Sequence, residues 1–193
     1  MRSRVLGSGI PISTALLFFA LSSYGQQLED FKTNLAPTAP SPEQAVDRML
    51  EVAHLKPGET VYDLGCGDAR ILIAAAKRYK VKGVGIEISN RLSQVAAENV
   101  KKAGLQQQIR IVHGNFMQTD LSDANVVTLY LATTANDMLR PNLERYLRPK
   151  TRVVSYDYPI PGWRPVDTSE TEGHQGATHI IYLYEVPNSI NKK

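Results

Sequence analysis

The decapeptide VYDLGCGDAR, residues 61–70, joins an acid to a pair of glycines, and 22 residues beyond Gly65 a second acid, Glu87, ends the run KGVGIEI. A β-rich run leading into Gly-x-Gly predicts a strand that turns sharply into a helix, with Gly65 and Gly67 allowing backbone angles and close approach that a Cβ would forbid. Such a turn sets backbone N–H groups and the positive end of a helix against a ligand's polar group. Glu87 stands where doubly wound nucleotide-binding folds place the carboxylate that takes both ribose hydroxyls, two donors that an acceptor-only group can receive. Together the two elements point to an adenosine-type ligand.

The remainder of that ligand is read from the same turn. A dinucleotide fingerprint needs a third glycine three residues after the second, and Arg70 occupies that position. Asp68 also adds negative charge beside the helix start, which a pyrophosphate would oppose. Two neighbouring carboxylates, Asp63 and Asp68, suit a ligand with a cationic end. S-adenosylmethionine, with its α-ammonium and sulfonium, fits these residues better than NAD. An NAD-dependent oxidoreductase is the weaker alternative, and a module that binds S-adenosylmethionine or a nucleoside without catalysis is another.

These residues need a frame, and the rest of the chain supplies one. Strand-like runs at 60–64, 82–88, 109–112, 125–131 and 151–158 alternate with helix-period segments at 69–79, 91–103 and 135–147. That alternation predicts an α/β fold: a doubly wound, mostly parallel sheet wrapped by helices. Asn90 is the expected cap of the second of these helices, Gly104 its stop, and Pro141 predicts a break in the third. After PIPGW (159–163) only a polar loop precedes ATHIIYLYEV (177–186), so one strand of the last pair must run antiparallel. Upstream, Ser41-Pro42-Glu43-Gln44 has the pattern of a capping box opening a further helix.

DLGCGDAR followed by GVGIEIS resembles the first two motifs of class I S-adenosylmethionine-dependent methyltransferases. From about residue 40 to 165 the chain is similar to the lysine N-methyltransferases that act on the adenine nucleotide translocase and the ATP synthase c subunit, together with their bacterial relatives. SPEQAVDRMLEVA, DLGCGDARILIAAA, DLSDANVVTLYL and YPIPGW carry the narrower likeness. The resemblance implies a seven-stranded Rossmann-like sheet and a lysine amine as methyl acceptor. It sets Asp63, Gly65 and Gly67 along the methionine part of S-adenosylmethionine, Glu87 on the ribose and Ile88 on the adenine face, with Cys66, Asp68, Asn115 and Phe116 also expected among the cofactor-binding residues; the Cys66 side chain, between two glycines, reads as a small filler. Asn115 stands where the family usually has aspartate, and its carbonyl oxygen can still accept from the adenine amino group. Ala69 replaces a family glycine, which is expected to add a methyl group near the ligand.

On the acceptor side, LYLATT (129–134) and YDYPIPGW (156–163) follow strands four and five, at the ligand edge of such a sheet. Tyr130 and Asp157 are the expected catalytic residues, either able to assist an amine in losing its proton. Trp163 is expected as a wall or clamp, and Pro159, Pro161 and Pro165 as stiffeners of a covering loop. Tyr182 and Tyr184 read as strand faces without chemistry.

Composition bounds the remaining possibilities. The 193 residues suffice for one domain, 41–187, followed by a short tail, 188–193. The first 25 residues hold Arg2, Arg4, the apolar run TALLFFAL and small residues at 23–25, the layout of an export signal, with a membrane anchor as the alternative. A Pro-rich linker at 26–40 joins this segment to the domain, which is expected to be exported or membrane-anchored. Removing those 25 residues takes two arginines and no acid, so the formal charge falls from +3 to +1, with no electrostatic footprint for nucleic acid. Four scattered histidines and one cysteine make no metal-ligand set. The expected partner is therefore a protein or small-molecule acceptor, free or membrane-associated, and not a nucleic acid.

Overall fold

The computed structural model describes residues 40–172 and 177–190. By its contacts the chain divides into Met1–Thr33, which lies outside the described residues, and Asn34–Lys193. The expected export segment and nearly all of the expected linker therefore lie outside the described residues as well.

The elements are α1 (Glu43–Val52), β1 (Thr60–Leu64), α2 (Arg70–Tyr79), β2 (Lys82–Glu87), α3 (Asn90–Lys102), β3 (Ile109–His113), a 3₁₀ turn (Phe116–Gln118), β4 (Val126–Leu129), α4 (Thr133–Tyr146), β5 (Arg152–Tyr156), β6 (Asp167–Glu172) and β7 (Thr178–Glu185). One sheet runs in the order β3-β2-β1-β4-β5-β7-β6. β1 through β5 pair in parallel, while β7 lies antiparallel to both β5 and β6. The direction of winding reverses between β1 and β4, so a crevice opens at their carboxyl ends. This is the expected α/β class, with the antiparallel strand inserted between two others.

β1 and β4 are buried on both faces because helices cover both. One layer of core joins Met49, Leu50, Leu72 and Val100 to Val61, Val126, Val154 and Ile181. The other joins Leu64, Ile86 and Leu129 to Leu139, Leu143, Trp163 and Tyr184. Leu50, Leu72, Leu139 and Leu143 are fully buried, and each contributes about 2 kcal/mol by leaving water. At the opposite edge Arg152 clasps the entry to β1: Nη1 donates to the carbonyls of Ala53 (2.5 Å) and His54 (2.6 Å), and Nη2 donates to Glu59 Oε1 (2.5 Å).

Several local expectations are corrected. The capping box does not form: Pro42 is the cap of α1, without a side-chain hydrogen bond, and the Ser41 carbonyl instead accepts from Arg70 Nη1 at 2.9 Å. Ser89, not Asn90, caps α3 through its Oγ, which accepts from the Leu92 N–H at 3.3 Å. α4 continues through Pro141, because buried Leu139 and Leu143 on either side hold it against the sheet. β6 was expected as loop; its DTSETE face is largely exposed, so it forms an edge strand without the apolar alternation that would mark it. Residues 188–190 are not a free tail. Ser189 is buried, and Ile190 pairs with Trp163 in an isolated antiparallel bridge.

Candidate active site

At the end of β1, Asp63 sits between Gly85 on β2 and Thr128 on β4. It is 4% exposed, and its Oδ1 accepts from the Thr128 hydroxyl at 2.7 Å. Burial pushes its carboxyl up to about 7, and the nearby charges of Glu87 and Asp68 push the same way. The chain then turns through three left-handed residues, Gly65 (φ 78°), Gly67 (φ 54°) and Ala69 (φ 65°). At Ala69 this conformation costs roughly 1 kcal/mol. Ala69 is fully buried and packs in the core, so its methyl group does not stand near the ligand as expected.

Glu87 binds the turn to the next helix. Its Oε2 accepts from the Gly67 N–H and its Oε1 from the Ser89 N–H, each at 2.9 Å. One lone pair on each oxygen is used, which leaves acceptor capacity for a diol. Cys66 turns inward: Gly85 leaves the room its sulfur occupies, since a Cβ there would lie 2.7 Å from Cys66 Sγ. Burial pushes this thiol well above the ordinary range. Cys66 is therefore filler on its side-chain face, and only its backbone borders the crevice.

Asp68 departs from expectation. Arg70 donates Nη2 to its Oδ2 at 2.6 Å and Nε to its Oδ1 at 2.9 Å, and this side-chain bonding holds the Asp68 carboxyl below its ordinary range. The residue that breaks the dinucleotide pattern thus neutralises Asp68, and Asp63 is left as the acid that can meet a cation. On the far side Ile88 is half-buried. Asn115 Oδ1 already accepts from the Met117 N–H at 2.9 Å, with a second lone pair remaining. Phe116, beside Asn115, is buried and packs in the core layer with Leu64, Ile86 and Leu129.

Beyond β4 and β5 lies an aromatic group. The Tyr130 ring is 4.7 Å from that of Tyr156 and 6.2 Å from that of Tyr158, and Tyr156 stacks on His179 at 5.5 Å. Burial, then the charges of Tyr158 and Asp157, raise the Tyr130 phenol. Asp157 is held at φ 68°, with its N–H on the Ile180 carbonyl at 2.7 Å. Trp163 is not beside them. It packs in the other core layer, and its Nε1 donates to Glu144 Oε1 at 2.9 Å, so the expected wall or clamp is a structural tryptophan. The proline loop is anchored instead by Asn136, whose Nδ2 donates to the Tyr158 and Pro159 carbonyls at 3.0 and 3.3 Å. Tyr184, expected to be inert, accepts from the Ile160 N–H at 3.0 Å and anchors the same loop. Among the described residues no three His, Cys, Asp or Glu side chains gather as a metal site.

The ANTKMT methyltransferase domain model matches residues 63–167. Over 151 residues the chain is 46% identical to a protein-lysine N-methyltransferase of Saccharolobus islandicus (strain REY15A), spanning 78% of this chain and 93% of that protein. Over 144 residues it is 30% identical to the adenine nucleotide translocase lysine N-methyltransferase of Mus musculus, spanning 75% of this chain and 60% of that one. The crystal structure of an RNA methyltransferase from Salinibacter ruber in complex with S-adenosyl-L-homocysteine superposes with a TM-score of 0.75 at 40% identity, covering 80% of this chain and 98% of that one. A sheet that reverses its winding at β1, with a glycine turn and a ribose-spaced acid at its carboxyl edge, defines here an S-adenosylmethionine-dependent methyltransferase. Within that class the chain belongs to the ANTKMT methyltransferase family.

Proposed function

We propose that this chain methylates the ε-amine of a lysine in a protein, and that the residues gathered at the carboxyl edge of β1, β2, β4 and β5 do the work. The reading rests on one observation above others: Asp63 is a buried carboxylate with a single hydrogen-bond partner, Thr128, at the mouth of the glycine turn. A buried acid with acceptor capacity left over suits a cationic group, as the α-ammonium of S-adenosylmethionine is. Glu87 receives the ribose hydroxyls, and Ile88 and Asn115 border the adenine.

When bound, S-adenosylmethionine supplies an electrophilic methyl carbon on a sulfonium. The turn and Glu87 orient it toward β4, and the site's contribution is positioning and exclusion of water. Tyr130 and Asp157 stand on the acceptor side, where a carboxylate and ring faces together favour an alkylammonium over an anionic or neutral group. The lysine names of the Saccharolobus and mouse relatives support this acceptor, whereas the name of the Salinibacter neighbour points to RNA. Purified enzyme and methyl-labelled S-adenosylmethionine, incubated with separated protein and RNA fractions, decide between them. Label in protein that is resistant to nuclease supports lysine; label in RNA alone overturns it.

We further propose that residues 1–25 direct the domain to export or anchor it, on the strength of their charged, apolar and small-residue layout. An intact Met1 on protein recovered from the cytoplasm overturns that reading.

A further inference from the structure

Because β7 runs antiparallel to β5, its first residues lie beside the last residues of β5, at the carboxyl edge where the ligand crevice opens. That reversal brings His179, remote in sequence from every motif, next to Asp157: Nδ1 lies 3.1 Å from Asp157 Oδ1, with the side chains 19% and 29% exposed. The contact is close but not aligned as a hydrogen bond, and Nδ1 is a buried polar atom without a formed partner. Tyr156 stacks on the same imidazole, and its own buried hydroxyl also lacks a partner. Asp157, a non-glycine residue, is meanwhile held in the left-handed region, where strain is retained only when the surroundings over-determine it. Two orphan polar atoms and a strained acid at one edge have no packing purpose that an apolar set would not serve better.

We propose that His179 and Asp157 form the proton-accepting pair for the acceptor amine, a role that rests on the lysine reading above. Asp157 draws the ammonium to the aromatic edge. The ammonium gives one proton to the neutral imidazole, whose cation the Asp157 carboxylate stabilises. The freed lone pair forms the new N–C bond as the C–S bond breaks, its electron pair leaving on sulfur, and the partly exposed imidazolium returns its proton to water. The ionisable side chains gathered at His179 are Asp157, Tyr156 stacked on its ring, and Tyr130 and Tyr158 next to it in the same aromatic group. Of these, Asp157 makes the ionic contact with its ring.

The test uses full-length enzyme, the labelled protein fraction as acceptor, and calorimetry for the cofactor. His179→Ala lowers kcat by about a hundredfold, the range of a lost general base, and leaves the dissociation constant for S-adenosylhomocysteine within twofold. Added imidazole restores turnover, while the far less basic isostere pyrazole does not. His179→Gln, which keeps the size of the side chain, is equally slow, so a folding defect in the alanine variant does not decide the matter. If the wild-type enzyme labels no protein, the lysine reading falls and the role of the pair falls with it. If it labels protein while His179→Gln retains kcat, or pyrazole rescues as well as imidazole, the pair alone is overturned.

Discussion

The buried carboxylate of Asp63 ties cofactor affinity to pH in a calculable way. Its folded value is raised from 3.8 to about 7, so the folded protein without ligand binds this proton more tightly than the unfolded chain does. The stability associated with Asp63 is therefore present in acid and lost as pH rises toward 7. Between pH 5 and pH 7 the ionised fraction climbs from roughly 1% to about half, which removes about 2 kcal/mol of stability at 1.36 kcal/mol per pH unit. A cationic ligand needs the ionised form, so affinity moves oppositely, rising about 50-fold over the same interval. The α-ammonium of the ligand stays charged throughout that window. Calorimetric titration with S-adenosylhomocysteine at pH 5, 6 and 7 measures the effect directly, and Asp63→Asn supplies the control, with weak binding at all three values and no slope. A wild-type affinity that changes less than twofold across the window refutes the reasoning.

The acid behind the turn, the strand beside it and the Arg152 clasp each make a further prediction. Glu87→Ala removes a charged acceptor from the Gly67 and Ser89 N–H groups as well as from the ribose; it weakens cofactor binding about 100-fold by calorimetry, whereas Cys66→Ser changes it less than fivefold. Gly85→Ala places a Cβ 2.7 Å from Cys66 Sγ and 2.9 Å from Ile111 Cδ1, and thermal unfolding shows a loss of about 2 kcal/mol, partly recovered in the double variant with Cys66→Ala. Arg152→Met strips two carbonyls and the Glu59 carboxylate of their donor, and urea unfolding registers about 3 kcal/mol with an unchanged slope.

The central frame was legible because its signals are local. β1, the glycine turn and β2 are each written as a contiguous run, and the alternation of short apolar strands with helical segments imposes parallel pairing. What escaped depends on placement across the sheet. β6 carries no apolar face because it is an exposed edge, and Trp163 reads as a wall of the site although the fold turns it into core. Arg70 was legible as an obstacle to dinucleotides but not as the partner of Asp68, since an i, i+2 pair across a turn depends on backbone angles that spacing does not specify. Asn136 and His179 lie in no motif, and Thr128 sits within DLSDANVVTLYL with nothing to mark it as a partner of Asp63. They matter because Thr128 meets Asp63 across two strands, Asn136 reaches a loop beyond the next strand, and His179 arrives through an antiparallel return.

The account stands or falls on where the methyl group goes. Site-resolved mass spectrometry of an acceptor protein, taken with the count of S-adenosylhomocysteine formed, is the direct measurement. The expected result is methyl groups on lysine ε-nitrogens, one S-adenosylhomocysteine for each methyl added, and roughly tenfold less of both with Glu87→Ala at a cofactor concentration about ten times the wild-type dissociation constant. Methylation on any other atom, or equal turnover by Glu87→Ala under those conditions, contradicts it.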